Sequence, residues 1–301
     1  MGDGGGARAP DPSAAATAAE DDDDDDDDDT QALPNDLHHF IITLDRAVVW
    51  GKLIERCAEP SHQLLVVRGE PTQGLHLFRA RVLRYLSNPK RVHRVHSFGP
   101  GNDHQPATTA AAWEALLRTC LGLAHLPTKK AIREATRHQP VLCMVGLNTP
   151  LHLGPDSLRQ DDLDALCAFL RTLPERLPAL DPTTPRPLRL LLTVQVAPGL
   201  GRRDPVYRAL DAAIHDAEGA AKAAGVPLQT ALIGTLETPT FAEVEGPIIT
   251  RAQERHGRKL TPEELDVIEA AYDRAKDAGL PFVALAEALW FALPAWMRDA
   301  P

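Results

Sequence analysis

Cysteine is scarce and scattered. Cys57, Cys120, Cys143 and Cys167 are the only four in 301 residues, and none is close to another. A disulfide framework or a zinc site needs tighter spacing. Both are excluded, and reduced thiols in a cytoplasmic protein are expected. Long hydrophobic runs are missing too. No stretch of eighteen or more apolar residues occurs, so no transmembrane helix and no membrane partner are expected. No basic segment leads into an apolar one near the start, so no secretory signal is expected. Hydrolase signatures are lacking as well. Beyond residue 33 the serines are Ser61, Ser87, Ser97 and Ser157, none within a G-x-S-x-G elbow. There is no H-E-x-x-H and no cysteine in a recognisable nucleophile motif. No catalytic residue, metal ligand or cofactor is expected.

A basic face is also absent. The net charge is −10, with 42 acidic against 32 basic residues. Residues 1–30 hold twelve of the acids, including the unbroken run Asp21 to Asp29, against Arg8 alone. The remainder carries 30 acids and 31 bases and is nearly neutral. Nucleic-acid binders use a global positive surface, so no nucleic-acid partner is expected. Residues 1–33 are rich in Gly, Ala and Asp and have almost nothing to bury, which predicts a disordered acidic tail. On composition the tail is a solubilising linker or a binder of basic partners.

What is present is a sizeable apolar fraction, 44%, enough for a large core. A helix is predicted over Arg46–Ala58 with Asp45 as its N-cap. Five apolar runs follow: Gln63–Arg68, Arg91–Ser97, Val141–Leu147, Leu188–Val196 and Leu228–Leu236. The first, third and fourth are apolar almost throughout, as strands covered on both faces are. Helical periodicity lies between them, at Trp113, Leu116, Leu117, Cys120 and Leu121 and again at Leu163, Leu166, Cys167 and Leu170. Asp204 followed by Pro205 marks a helix start, and Gly225 its end. The alternation predicts a five-stranded, doubly wound parallel sheet over residues 34–238. Residues 239–301 read as all-helical, a lid or small appended region. There Thr261-Pro262-Glu263-Glu264 forms a capping box, and Trp296 and Met297 are expected to pack back.

One turn holds a chemical signature with its key groups removed. The first strand runs into Gly69-Glu70-Pro71-Thr72-Gln73-Gly74-Leu75-His76, followed by a helix-like stretch from Leu77 to Leu86. A phosphate-binding loop reads G-x-x-x-x-G-K-[ST] between a strand and a helix. The glycine spacing and context match. Leu75, however, stands where lysine would neutralise β- and γ-phosphate charge, and His76 where a hydroxyl would hold Mg²⁺. The third strand continues into Gly146-Leu147-Asn148-Thr149, with no metal-holding carboxylate until Asp156. Both halves of a nucleotide–metal site are missing. In a P-loop-type fold the Gly69 strand should lie centrally in the sheet, flanked by strands three and four or their equivalents. A generic α/β domain could place it at an edge.

These residues resemble the start of the inactive STAND families, P-loop domains of bacterial conflict systems whose ATP site has eroded. The matching stretch is Ile41-Ile42-Thr43-Leu44-Asp45-Arg46, a helix, Leu64-Leu65-Val66-Val67-Arg68-Gly69-Glu70-Pro71, and Gln73-Gly74-Leu75-His76-Leu77-Phe78-Arg79-Ala80-Arg81. It carries an Asp45-Arg46 pair opening a helix, a hydrophobic strand ending in Gly-Glu, and a Leu75-x-x-Phe78-x-x-Arg81 helix. Ala47-Val48-Val49 occupies the region where members place a glutamine. The resemblance implies a non-enzymatic scaffold that brings protein partners, effector or sensor modules, together. The alternative from the residues alone is a nucleotide-gated switch or NTPase in which Thr72 or His76 and Arg202 or Arg203 replace the usual contacts. His93 and His96, three apart on a strand run, face opposite ways and do not suggest a metal site with His104. His38 and His39 are expected to be solvated or capping.

Overall fold

The computed structural model describes residues 35–44, 47–86, 94–98, 109–138, 140–147 and 160–298. The acidic run and the Asp45-Arg46 pair lie outside the described residues, as do His93 and His104. Pro34–Pro301 forms one compact unit. In chain order the elements are α1 (Asn35–Thr43), α2 (Ala47–Ala58), β1 (His62–Gly69), α3 (Leu75–Leu86), β2 (Arg94–Phe98), α4 (Ala110–Cys120), α5 (Lys129–Ala135), β3 (Val141–Leu147), α6 (Gln160–Arg176), β4 (Leu188–Gln195), α7 (Pro205–Ala223) and β5 (Leu228–Leu236). Four helices follow: α8 (Phe241–His256), α9 (Pro262–Asp277), α10 (Phe282–Ala292) and α11 (Ala295–Arg298).

The strands form one sheet in the order β2-β3-β4-β1-β5, with every pairing parallel. Successive side chains of a strand face opposite ways, and here each direction meets helices. Leu64 and Val66 of β1 join Leu190 and Leu192 of β4 in a core covered by α4, α6 and α7. Leu65 and Val67 join Leu142, Met144 and Leu191 in a second core under α2 and α3. That double burial is why the runs are apolar without alternation.

β1 lies inside the sheet, but its neighbours are β4 and β5. The expected flanking by strands three and four is corrected in one place. β3 sits beyond β4, pairing Cys143 with Leu190, and β5 occupies the other edge of β1. The β1–β5 register slips between Val66 and Val67, which pair with Leu232 and Gly234. Ile233 is thus an extra residue in β5, a bulge. A Cβ on Gly234 would lie 3.0 Å from Val49 Cγ2, so the bulge and the missing side chain let α2 sit directly on β5.

The helix ends follow local chemistry. Asp204 caps α7 through Oδ1, which accepts from Val206 N at 2.8 Å, and its Oδ2 accepts from Ala197 N at 2.9 Å. One buried carboxylate therefore ties the exit of β4 to the start of the next helix. Glu243 and Glu264 complete capping boxes with Thr240 and Thr261. In the helical region, α10 buries Phe282, Leu285, Leu289 and Trp290 against α9 and α1. The Trp290 ring lies 5.3 Å from that of Phe40. Met297 is buried, and Trp296 Nε1 donates to Glu264 at 3.0 Å. No helix among the described residues is long and apolar enough to cross a membrane.

Candidate functional site

The turn after β1 stands at the carboxyl edge of the parallel sheet, where the fold would position a ligand. Gly69 ends the strand, and its carbonyl accepts from Val196 N at 2.9 Å. A 3₁₀ turn over Pro71–Gln73 follows, closed by Gln73 N donating to Glu70 O at 2.9 Å. Gly74 then takes φ +65°, a left-handed conformation that only glycine adopts cheaply. Its carbonyl accepts from Phe78 N at 3.1 Å as α3 begins.

The interior of the turn is filled. A Cβ on Gly69 would stand 3.2 Å from Leu236 Cβ, 3.4 Å from Leu75 Cγ and 3.6 Å from Gln73 Cβ. The opposite sides of a would-be cradle are in van der Waals contact. Leu75, at the position of the missing lysine, packs on the core shared by α2 and α3. Gly74 is covered from outside, where a Cβ would meet Phe282 Cδ1 at 3.0 Å. Phe282, Ile41, Leu44, Leu77, Phe78 and Arg81 help enclose a void of about 10 Å³, the space of a single water.

The charges around the turn oppose a phosphate. Glu70 accepts from Gly199 N at 2.8 Å, so a carboxylate already occupies an amide of the adjoining loop. Holding a second negative charge about 5 Å away costs about 3 kcal/mol at an effective dielectric of about 20. At the end of β3, where a metal-binding carboxylate would stand, there is instead a cation. A Cβ on Gly146 would lie 2.8 Å from Arg79 Cζ. Burial pulls the Arg79 guanidinium below its ordinary pKa range. A divalent ion and a buried arginine would compete for that position.

Thr72 and His76 are exposed, while Pro71 and Gln73 are half-buried. Gln73 Nε2 approaches Thr238 Oγ1 at 3.4 Å. Arg202 and Arg203 lie exposed on a short 3₁₀ turn after β4. Phe78 and Arg81 have packing and positioning roles. Phe78 meets Trp50 edge-on at 6.4 Å. Arg81 lies 4.7 Å over the Trp50 ring and donates to the Leu44 carbonyl at 3.3 Å, which clamps the end of α1. Two residues unflagged by the motif, Arg79 and Phe282, define the site most strongly. Arg79 stands within the quoted segment, whereas nothing local connects Phe282 to the turn. Among the described residues no group of three or more His, Cys, Asp or Glu could hold a metal ion. Cys57, Cys143 and Cys167 are buried and in no disulfide, and burial pushes the Cys57 thiol up to about 11. His39 is half-buried rather than solvated, and burial together with Arg84, Arg255 and Arg251 lowers it to about 4.

No protein-family model matches the sequence, and no curated protein matches it. Among solved structures the chain is similar to the Aeropyrum pernix ORC2 protein, solved in ADPNP–ADP complexes, at a TM-score of 0.43 and 14% identity. That match covers 81% of this chain and spans 59% of the other. Saccharomyces cerevisiae RIF2 matches at a TM-score of 0.39 and 8% identity, covering 87% and 89% of the two chains. A chain of the E. coli MS115-1 HORMA:CdnC:Trip13 complex matches at 0.36 and 11%, covering 78% and 70%.

Proposed function

We propose that this chain is a P-loop-type domain that has lost its nucleotide site and serves as a non-enzymatic scaffold or adaptor in a bacterial conflict system. The single observation that carries the loss of chemistry is the closed turn, in which the half-buried Leu75 packs on the core and Phe282 covers Gly74. P-loop kinship is supported by the strand–GxxxxG–helix order and by β1 lying inside a parallel sheet. The start of α3 retains some attraction for an anion, on the order of 1 kcal/mol. That is too little to offset the Glu70 charge. The protein-assembly role rests on the resemblance to the inactive STAND families, and with it go no cofactor, no turnover and protein rather than nucleic-acid partners.

The test is an affinity purification from the native host with the full chain and with residues 1–33 removed, each with and without added Mg-ATP. A scaffold retains an effector-class and a sensor-class protein together at fixed stoichiometry, whether or not Mg-ATP is present. Co-purification of a nucleotide, or release of the partners by Mg-ATP, would replace this reading with that of a nucleotide-gated switch.

A further inference from the structure

The amino edge of the same sheet, opposite the closed turn, holds an open cavity of about 270 Å³. It lies between the end of α5 and the loop that leads from α6 into β4. We propose that this cavity is a binding site for a small organic phosphate, with the charged head held by arginines and the apolar body on the loop wall.

Three arginines, Arg133, Arg137 and Arg186, line it. Arg133 lies in the last turn of α5, Arg137 follows just past the helix end, and Arg186 comes from the facing loop. The acids at the cavity are both engaged. Glu134 pairs with Arg137 at 3.2 Å. Asp181 accepts from Thr183 N at 2.8 Å, from Thr183 Oγ1 at 2.6 Å and from Thr184 Oγ1 at 3.3 Å. Among the described residues neither Arg133 nor Arg186 makes an ion pair, and the three guanidinium groups of the cavity outnumber its two carboxylates. Lys129 and Lys130 precede them on the same helix and are exposed. Beyond residue 30 the chain is nearly neutral, and here cations are in local excess. Guanidinium forks match phosphate oxygens two at a time, so arginine is the residue suited to the head group.

The walls are fixed. Thr136 Oγ1 donates to the Ile132 carbonyl at 3.0 Å and closes the end of α5. Arg186 donates to the His138 carbonyl, which holds its side chain across the cavity mouth. On the far wall, Pro178, Ala179 and Leu180 give an apolar surface. The carbonyl of Pro178 accepts from Nε2 of the fully buried His62 at 2.9 Å, and His62 Nδ1 accepts from Leu188 N at 3.0 Å. One neutral imidazole thus anchors the loop to both β1 and β4. A cavity of this size, part polar and part apolar, suits a compact ligand with an anionic head. An extended polymer would use only its rim.

The test is calorimetric titration of the full chain with phenyl phosphate, inorganic phosphate and a single-stranded oligothymidylate, repeated on Arg133→Ala, Arg133→Glu and Arg186→Lys. Arg133 is exposed, so its variants keep the thermal midpoint and isolate binding. Saturable 1:1 binding of phenyl phosphate is expected, tighter than that of inorganic phosphate. It should weaken at least tenfold in Arg133→Ala, vanish in Arg133→Glu and survive in part in Arg186→Lys. Absence of saturable binding to phenyl phosphate overturns the proposal. So does phenyl phosphate binding that is indifferent to Arg133. Binding of the oligonucleotide alone, dependent on Arg133, overturns it too and assigns the arginines to a nucleic-acid backbone.

Discussion

The two edges of the sheet differ in what lines them. At the carboxyl edge, where an α/β sheet ordinarily receives its ligand, Leu75 and Gln73 stand against Gly69 and Phe282 covers Gly74. A cleft of only about 10 Å³ lies between Gly74, Phe282 and helices α1 and α3. At the amino edge, a cavity of about 270 Å³ stays open and is lined by arginines. On the proposed reading, the chain keeps the backbone path of a phosphate loop and lines it with hydrocarbon. A fold can therefore preserve the spacing of a motif while the side chains reverse its meaning, because glycine spacing sets the backbone path and the neighbouring side chains set the chemistry.

The sharpest way to break the contrast is to unseal the turn. Phe282→Ala removes a 3%-exposed ring and is expected to destabilise the fold by about 3–5 kcal/mol, read by urea denaturation. A loss below about 1 kcal/mol would mean that α10 rests on the turn without sealing it. Gly74→Ala forces a side chain into a left-handed backbone at φ +65° and against the Phe282 ring. Its expected cost is about 2 kcal/mol. In Phe282→Ala, Gly74→Ala should cost less, because the contact is gone and only the backbone strain remains. A double-mutant cycle reads that difference. Strict additivity would separate the two residues.

The amino edge is sharpened by pH. Burial is the main cause that lowers His62, with Arg189 adding to it. Its folded pKa lies below that of the unfolded chain, near 6.5. As pH falls below about 6.5 the unfolded state takes up the proton first, so stability is full above that value and declines beneath it. His39, lowered to about 4, acts in the same direction over about 6.5 to 4. A series of thermal midpoints across that range should decline for the intact chain and flatten in part for His39→Gln. A midpoint that rises on acidification would contradict a neutral, hydrogen-bonded His62. The smallest effect is expected at Arg133→Ala, within about 0.5 kcal/mol of the intact chain by urea denaturation.

Much of this architecture was legible in the residues. The runs Val141–Leu147 and Leu228–Leu236 are β3 and β5 as observed, because apolar runs bounded by turn residues leave little freedom of assignment. Asp204 and Thr261 capped the helices they announced. α5 escaped because it buries a single isoleucine, Ile132, and one residue makes no period. α1 escaped because it is only nine residues long, and its buried Leu37, Phe40 and Ile41 give barely one turn of helical period. Strand order was only partly readable. An apolar strand declares that both faces are covered but not which strand adjoins it, so β5 beside β1 needed the coordinates. At the site, Leu75 and His76 were readable as departures from the phosphate-loop pattern. The cap supplied by Phe282 is a contact between residues far apart in sequence, made by a helix whose apolar face could have served any surface. The amino-edge cavity was illegible for the same reason, since Arg133 and Arg186 read locally as solvated cations.

The most direct test of the central claim is thermal melting of the full chain with and without millimolar Mg-ATP and Mg-GTP. The account predicts coincident melting curves, because the turn has neither room nor charge for a phosphate. A ligand present at a hundred times its dissociation constant adds about 2.7 kcal/mol of stability. An upward shift of that order, abolished by Gly74→Ala, would show that the turn opens to hold a nucleotide and would contradict the account.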